Sequence, residues 1–249
     1  MPGPDAGAGI VVVSPTFHPE KVGTPHYVTD LALALADTGF DVAVVTNQPY
    51  YPEFHRFEGY GRRRRVDSLG AVRIRRLPTL VPFRGAPVLR AVSEANMLLQ
   101  GVVGALAGRL PRSRTVIAVS PGVPFAVLVA RILRRRGGRL LVVVHDIQAG
   151  LVTATTGPAG RVAGRVAGTV EAWALNRADV IAPLSEAMGQ TLSRMGVRAP
   201  IRPVPLWATV EPGLRPLPAG DRRVVMYSGN LGRKQGVSTL VDLAAAMSA

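Results

Sequence analysis

Residues 9–46 read GIVVVSPTFHPEKVGTPHYVTDLALALADTGFDVAVVT, and this stretch decides the fold class. Ile10–Val13 is a short, continuous apolar run stopped by Ser14-Pro15, the pattern of a strand buried on both faces. Tyr27 to Asp37 places Tyr27, Leu31, Ala34 and Leu35 at helical spacing, and Gly39 ends the run. Asp41–Thr46 is apolar and β-branched again. Strand, helix, strand over fewer than 40 residues is a crossover unit, and it predicts two parallel neighbours in one sheet.

The alternation continues outward from that unit. Strands are expected at Val72–Leu77, Thr115–Val119, Arg139–Val144 and Asp179–Leu184, with a weak one at Ile201–Leu206 that carries two prolines. Helices are expected at Val88–Leu110, Pro124–Arg135, Gly160–Asn176 and from Ser185 to Met195. VRIRRL at Val72–Leu77 alternates apolar residues with arginine, so it reads as half exposed or at an edge. The predicted fold class is α/β, a doubly wound parallel Rossmann-like sheet built by right-handed crossovers. In such sheets a ligand sits beyond the carboxyl ends of the strands. That directs attention to the loops at 14–26, 47–60, 120–123, 145–157 and 184–186.

Composition shifts at residues 210–221, VEPGLRPLPAGD, which read as a linker. Residues 1–209 are therefore expected to form one lobe, 210–222 a linker, and 223–249 the first strand and helix of a second α/β lobe. In that second unit, Val224–Ser228 is the strand, GNLGRKQG the turn, and Val237–Met247 the helix.

The chain has 249 residues, no cysteine, and a net charge of +14. Without cysteine, disulfides, thiolate metal sites and cysteine nucleophiles are excluded. The charge is local. Residues 56–139 hold 18 arginines and three acids, Glu58, Asp67 and Glu94, whereas the rest of the chain holds 12 basic and 13 acidic residues. Such a segment suits an anionic neighbour, or else it is simply solvated where the chain turns. Arg62, Arg63, Arg64 and Arg65, together with an apolar stripe of Met97, Leu98, Val102, Ala105 and Leu106, suggest an acceptor or membrane side. Few aromatics interleave these arginines, which argues against nucleic acid. No apolar run approaches the ~20 residues of a spanning helix.

Common catalytic motifs are absent, and the four histidines are not at metal-ligand spacing. Gly23 and Thr24 precede a helix, where free amides and the helix dipole favour a phosphate, although many such loops carry a glycine only to turn. His145 follows the strand RLLVVV and points at the ligand crevice as a base or hydrogen-bond donor, or packs as a core histidine bonded to backbone. In the second unit, the turn around Asn230 offers Arg233 or Lys234 to a diphosphate, or is a helix entry with surface cations.

Read in order, FHPEKVGTPHYVTDLALALADTGFDVAVVT, NQPYYPEF, VIAVSPGVPFAVLVARIL, VVVHDIQAG, NRADVIAPLSEAM, VPLWATVE and YSGNLGRKQGVSTLVDLA resemble retaining glycosyltransferases of family 4, which have the GT-B fold. The exopolysaccharide, or colanic-acid, type is the nearest in flavour, through Tyr50-Tyr51-Pro52 and the turn at 228–236. The resemblance implies an acceptor-binding N-terminal lobe and a donor-binding C-terminal lobe. It implies an NDP-sugar as donor substrate, no metal and no other cofactor. A glycan or polyprenyl-linked acceptor would receive the sugar with retained configuration, in the cytoplasm of a bacterium or peripherally on the inner face of its membrane.

By motif position, the resemblance implies that His145 lies near the reacting sugar. It places Gly23 and Thr24 beside the donor phosphates, and Asn230, Arg233 and Lys234 in the diphosphate-binding turn. Two positions depart from the family pattern: Thr24 stands where a second glycine is common, and Asn230 where arginine is usual. The paired glutamates that hold the donor sugar would fall beyond residue 249, so residues 1–249 alone are expected to transfer no sugar. The rival reading is a non-catalytic basic α/β protein that binds anionic membrane or nucleic acid.

Overall fold

The computed structural model describes residues 9–61, 63, 65–78, 80, 81, 87–120, 123–147, 157–207, 227 and 236–248. It divides into two units, Met1–Trp207 and Ala208–Ala249. The first unit contains β1 (Ile10–Val13), α1 (Thr24–Asp37), β2 (Val42–Asn47), β3 (Arg65–Leu69) and β4 (Val72–Leu77). These are followed by α2 (Pro87–Leu106), β5 (Ser113–Ser120), α3 (Val123–Leu133), β6 (Arg134–Val144), α4 (Gly157–Leu175), β7 (Val180–Pro183) and α5 (Glu186–Arg194).

Seven strands form one sheet in the order β3-β4-β2-β1-β5-β6-β7. Every pairing is parallel except β3 with β4. β1 lies at the centre, with Val11 opposite Ala43 on one side and Val116 on the other. Its four residues are all buried, as expected of a strand covered on both faces. Alternate residues feed two cores. Ile10, Val12, Val44 and Ile74 pack with Val28 and Ala32 of α1. Val11, Val13, Val45 and Leu77 pack with Met97 of α2 and with Ala126, Val127 and Ala130 of α3.

The crossover helices sit where the sequence puts them, and several boundaries move. α3 ends at Leu133, and β6 begins at Arg134 with an irregular register against β5 before pairing settles at Thr115 opposite Arg139. Gly138 makes this possible: a Cβ there would stand 2.4 Å from the Arg114 carbonyl oxygen. Gly101 similarly lets α2 lie close on Val129 of α3.

Three expectations are corrected. Val72–Leu77 is an inner strand, because the antiparallel β3 covers it and takes the edge. Its Arg76 is buried rather than solvated, since Asp67 of β3 supplies a partner. The stripe Met97, Leu98, Val102, Ala105 and Leu106 does not face outward as a whole. Met97 is 1% exposed, and Leu98 and Ala105 pack against the core, whereas Leu106 is 83% exposed. At 201–207 there is no strand, only a bridge from Ile201 to Ile181 and hydrogen bonds from the Arg202 and Val204 amides to carbonyls of β7. Pro203 and Pro205 have no N–H with which to continue a ladder.

In the second unit the described residues form α6 (Val237–Ser248). The linker at 210–222, the strand at Val224–Ser228 apart from Tyr227, and most of GNLGRKQG lie outside the described residues. Among the described residues, no helix is long and apolar enough to cross a membrane.

Candidate functional site at the carboxyl ends of the strands

The loops after β1 and β2 and the described residues after β6, His145–Ile147, lie at the carboxyl edge of the sheet, where β7 is followed by α5. After β1 the chain runs through Ser14 and Thr16 to Gly23, which caps α1 with φ of 77°. That left-handed conformation suits glycine, and nothing lies within 4 Å of where a side chain would begin. Thr24 is the first helical residue, with Pro25 in the first turn. The loop is tied down at its middle, where the His18 amide donates to Thr29 Oγ1 (3.2 Å) and that hydroxyl donates to the Pro25 carbonyl (2.8 Å).

His145 follows β6 directly and is half-buried. The Tyr27 ring, in the first turn of α1, meets it edge to face with centroids 5.9 Å apart. Trp207 meets Tyr27 in the same manner at 6.0 Å. The 201–207 segment, running beside β7, delivers Trp207 to this place. Sequence reading singled out His145 but used Tyr27 only as a helix-face residue. Burial lowers the His145 pKa below its ordinary value, so the imidazole is neutral at neutral pH. A neutral ring can donate from one nitrogen and accept at the other.

Beneath the first two loops lies a polar support that the sequence did not reveal. Glu20 is buried, and its carboxylate accepts from the amides of Phe17 (3.0 Å), Tyr50 (2.9 Å) and Tyr51 (2.8 Å). It thereby joins the loop after β1 to the Tyr50-Tyr51-Pro52 loop after β2. Burial pushes its pKa up, while these three amides and the Arg76 charge pull against that rise. Arg76 donates to Asp67 (2.6 Å) and to the carbonyls of His18 (2.6 Å) and Asn47 (3.4 Å). Burial pushes the Asp67 carboxyl up, but hydrogen bonds and charge from Arg76 and Arg65 outweigh it and hold the group below its ordinary value. Burial, with the charges of Arg76 and Lys21, also lowers the His18 pKa.

Thr16 Oγ1, Thr46 Oγ1, Asn47 Oδ1 and Gln48 Oε1 are buried and have no hydrogen-bond partner among the described residues. Buried polar atoms are nearly always satisfied, so this group sets a polar interior at the carboxyl edge apart from the apolar cores.

Gly23, Thr24 and His145 thus lie at the same sheet edge, and Tyr27 joins His145 to the helix that Gly23 opens. Of the arginine run, Arg65 pairs with Asp67, donates to the Gly59 carbonyl (2.6 Å) and lies over the Tyr60 ring. Arg63 is exposed, and its carbonyl accepts from Gln48. Arg62 and Arg64 lie outside the described residues, as do Asn230, Arg233 and Lys234.

Comparison with known proteins follows this geometry. The family described as Glycosyl transferase 4-like domain matches residues 22–207, most of the first unit. The chain is 26% identical over 252 aligned positions to a protein of Escherichia coli (strain K12) that bears the name colanic acid biosynthesis glycosyl transferase WcaI. The match takes in 94% of this chain and 62% of that protein, so the chain spans less than two thirds of the relative's length. Among solved structures, the sucrose-phosphate synthase of Thermosynechococcus elongatus superposes with a TM-score of 0.53 at 16% identity, over 79% of this chain and 47% of that one. A second structure of that synthase gives 0.50 at 15% identity, covering 80% of this chain and 88% of the other. These likenesses show the fold, a GT-B Rossmann-like lobe.

Proposed function

The chain belongs to the glycosyl transferase 4-like family, and from that premise we propose that its first unit is the acceptor-side lobe of a retaining glycosyltransferase of polysaccharide biosynthesis. The donor is an NDP-sugar, and the acceptor is a glycan or a polyprenyl-linked saccharide. The observation that carries the reading is the edge-to-face contact of Tyr27 with His145, which joins the Gly23 loop to the β6 end in one crevice.

In this reading an acceptor hydroxyl oxygen bonds to the anomeric carbon as the bond from that carbon to the diphosphate oxygen breaks. The electron pair leaves with the nucleoside diphosphate, and the acceptor proton passes to the departing oxygen on the same face. His145 hydrogen-bonds the reacting sugar or acceptor as a neutral ring. It therefore orients the hydroxyl without placing a positive charge beside the anomeric carbon. Gly23 and the amide end of α1 admit the donor phosphates at close range. By motif position, Asn230 and Arg233 or Lys234 are the residues of the second unit that the resemblance assigns to the diphosphate, and the reading calls for no metal.

The test is transfer from a panel of NDP-sugars to polyprenyl-diphosphate-linked acceptors by a chain carrying both lobes, with the product anomer assigned by NMR. Transfer with retained configuration is expected, and His145→Ala should lower kcat roughly 100-fold with the fold intact. Inverted product, or an His145→Ala variant with unchanged kcat, would sink the proposal.

A further inference from the structure

The loop after β2 carries Tyr50, Tyr51 and Phe54, and their rings gather in one cluster. The Phe54 ring meets Tyr51 edge to face with centroids 5.9 Å apart, and its centroid is 6.4 Å from that of Tyr50. All three side chains are half-buried, so the cluster presents part of its surface to water. Phe54 has φ of 59°, the left-handed region that a bulky side chain rarely adopts. Its amide donates to the Tyr50 carbonyl (2.7 Å), which closes the turn in that shape.

The position of this loop is fixed from several sides. One carboxylate oxygen of Glu20 accepts from both the Tyr50 and Tyr51 amides, and the other accepts from Phe17. A buried carboxylate is costly, and surface loops ordinarily leave such amides to water. The Phe57 amide donates to the Pro49 carbonyl (3.2 Å), and Gln48 Nε2 donates to the Arg63 carbonyl (2.7 Å). At the far end of the loop, Arg65 and Arg76 lie over the Tyr60 ring, 4.6 and 5.0 Å from its centroid. An unfavourable backbone conformation that its surroundings over-determine is characteristic of a place where a ligand is gripped.

We propose that Tyr50, Tyr51 and Phe54 form a stacking ledge for a sugar ring of the acceptor other than the one that reacts, with Glu20 as the positioning residue of the ledge. A pyranose has a CH face that packs on aromatic rings and a rim of hydroxyls that wants polar neighbours. The ledge offers both, because two of its rings are phenols and Glu53 and His55 are exposed beside Phe54. A polyprenyl chain would want an apolar groove without such a rim. β1 and β5 stand between β2 and β6, so the strand ends that carry the ledge and His145 are three spacings, roughly 14 Å, apart. One sugar ring is too short to reach both. The acceptor therefore has at least two sugar residues, and an earlier glycosyl transfer must have supplied it. That the bound saccharide is the acceptor rests on the reading of the His145 crevice given above, whereas the ledge rests on this loop alone.

The test is binding of the 249-residue chain to an array of immobilised mono-, di- and trisaccharides, with immobilised polyprenyl phosphate alongside. Binding is expected to di- and trisaccharides and to be weaker for monosaccharides. Tyr51→Ala or Phe54→Ala should each lose about ten-fold, whereas Tyr51→Phe keeps the ring and the binding. Glu20→Ala should lose as much as Tyr51→Ala, and Glu20→Gln, which keeps an oxygen for the Tyr50 and Tyr51 amides, should recover most of it. Phe40→Ala, an exposed ring at the other end of the sheet, should change nothing. Thermal unfolding shows which variants are folded; should Glu20→Ala unfold, the contrast of Tyr51→Ala with Tyr51→Phe decides. Binding to no saccharide, binding to polyprenyl phosphate alone, equal binding to monosaccharides, or indifference to the ring variants would overturn the proposal. A chain with both lobes that binds oligosaccharides through these rings yet transfers no sugar would sink the reading of the crevice and support the ledge. Transfer undiminished by Tyr51→Ala and Phe54→Ala would overturn the ledge alone.

Discussion

The two ends of the sheet handle charge in opposite ways. At the carboxyl ends, Glu20, Arg76 and Asp67 are withdrawn from water and each is held by several specific partners. At the amino ends of β5 and β6, Arg112, Arg114, Arg135 and Arg136 stand exposed and, among the described residues, have no carboxylate at ion-pair distance, whereas Arg134 pairs with Asp179. Buried, fully bonded charge fixes geometry, because its partners leave it one arrangement. Exposed like charge fixes nothing locally and acts at a distance through its field. The first end is built to hold loops at set positions, and the second to attract.

The largest effect should come from breaking the first kind of order. Glu20→Ala strands three backbone amides and removes the tie between two loops. It should cost about 3 kcal/mol in urea unfolding, and a loss below about 0.5 kcal/mol would erase the distinction between the ends. Gly138→Ala tests the amino end by packing instead of charge. With its Cβ 2.4 Å from the Arg114 carbonyl oxygen, it should cost about 1–3 kcal/mol through a forced shift of β6.

A third test uses pH. The His145 pKa is lowered in the folded lobe, so the unfolded chain binds the proton more readily. Stability from this group is present above the unfolded value of about 6.5 and is lost as pH falls through the folded one. The urea midpoint should fall from pH 7 to pH 5, and His145→Gln should flatten that slope. His18, lowered in the same direction, adds to that slope, while Glu20, raised by burial, works against it, so His18→Gln should flatten the slope further. The smallest effect belongs to the exposed cations: Arg135→Gln or Arg136→Gln should move stability by no more than about 0.5 kcal/mol. A larger loss would mean that the amino end is also a structural network.

The sequence made the first end legible only in outline. Apolar runs such as Ile10–Val13 announce buried strands, because burial on both faces leaves no room for polar residues. The β3 strand escaped notice because Arg65–Leu69 has no apolar alternation, and what makes it a strand is the partner that it covers. Arg76 looked like one more solvated arginine, since its burial depends on Asp67 in that unseen strand. Glu20 gave no signal at all, as its partners are backbone amides, which every residue but proline possesses. His145 was legible from its place after a strand, whereas Tyr27 was read for its helix spacing rather than for the crevice that it faces. The site positions in the second unit, Asn230, Arg233 and Lys234, lie outside the described residues.

Trp207 rests against Tyr27, which rests against His145, and the chain has one other tryptophan, Trp173, half exposed beneath Arg177. Indole emission shifts with the polarity and packing around the ring. The protein therefore carries two native optical reporters in different surroundings, one beside the crevice and one on the flank. With Trp173→Phe, the remaining light comes from the crevice alone, and a molecule that settles against Tyr27 announces itself without any label.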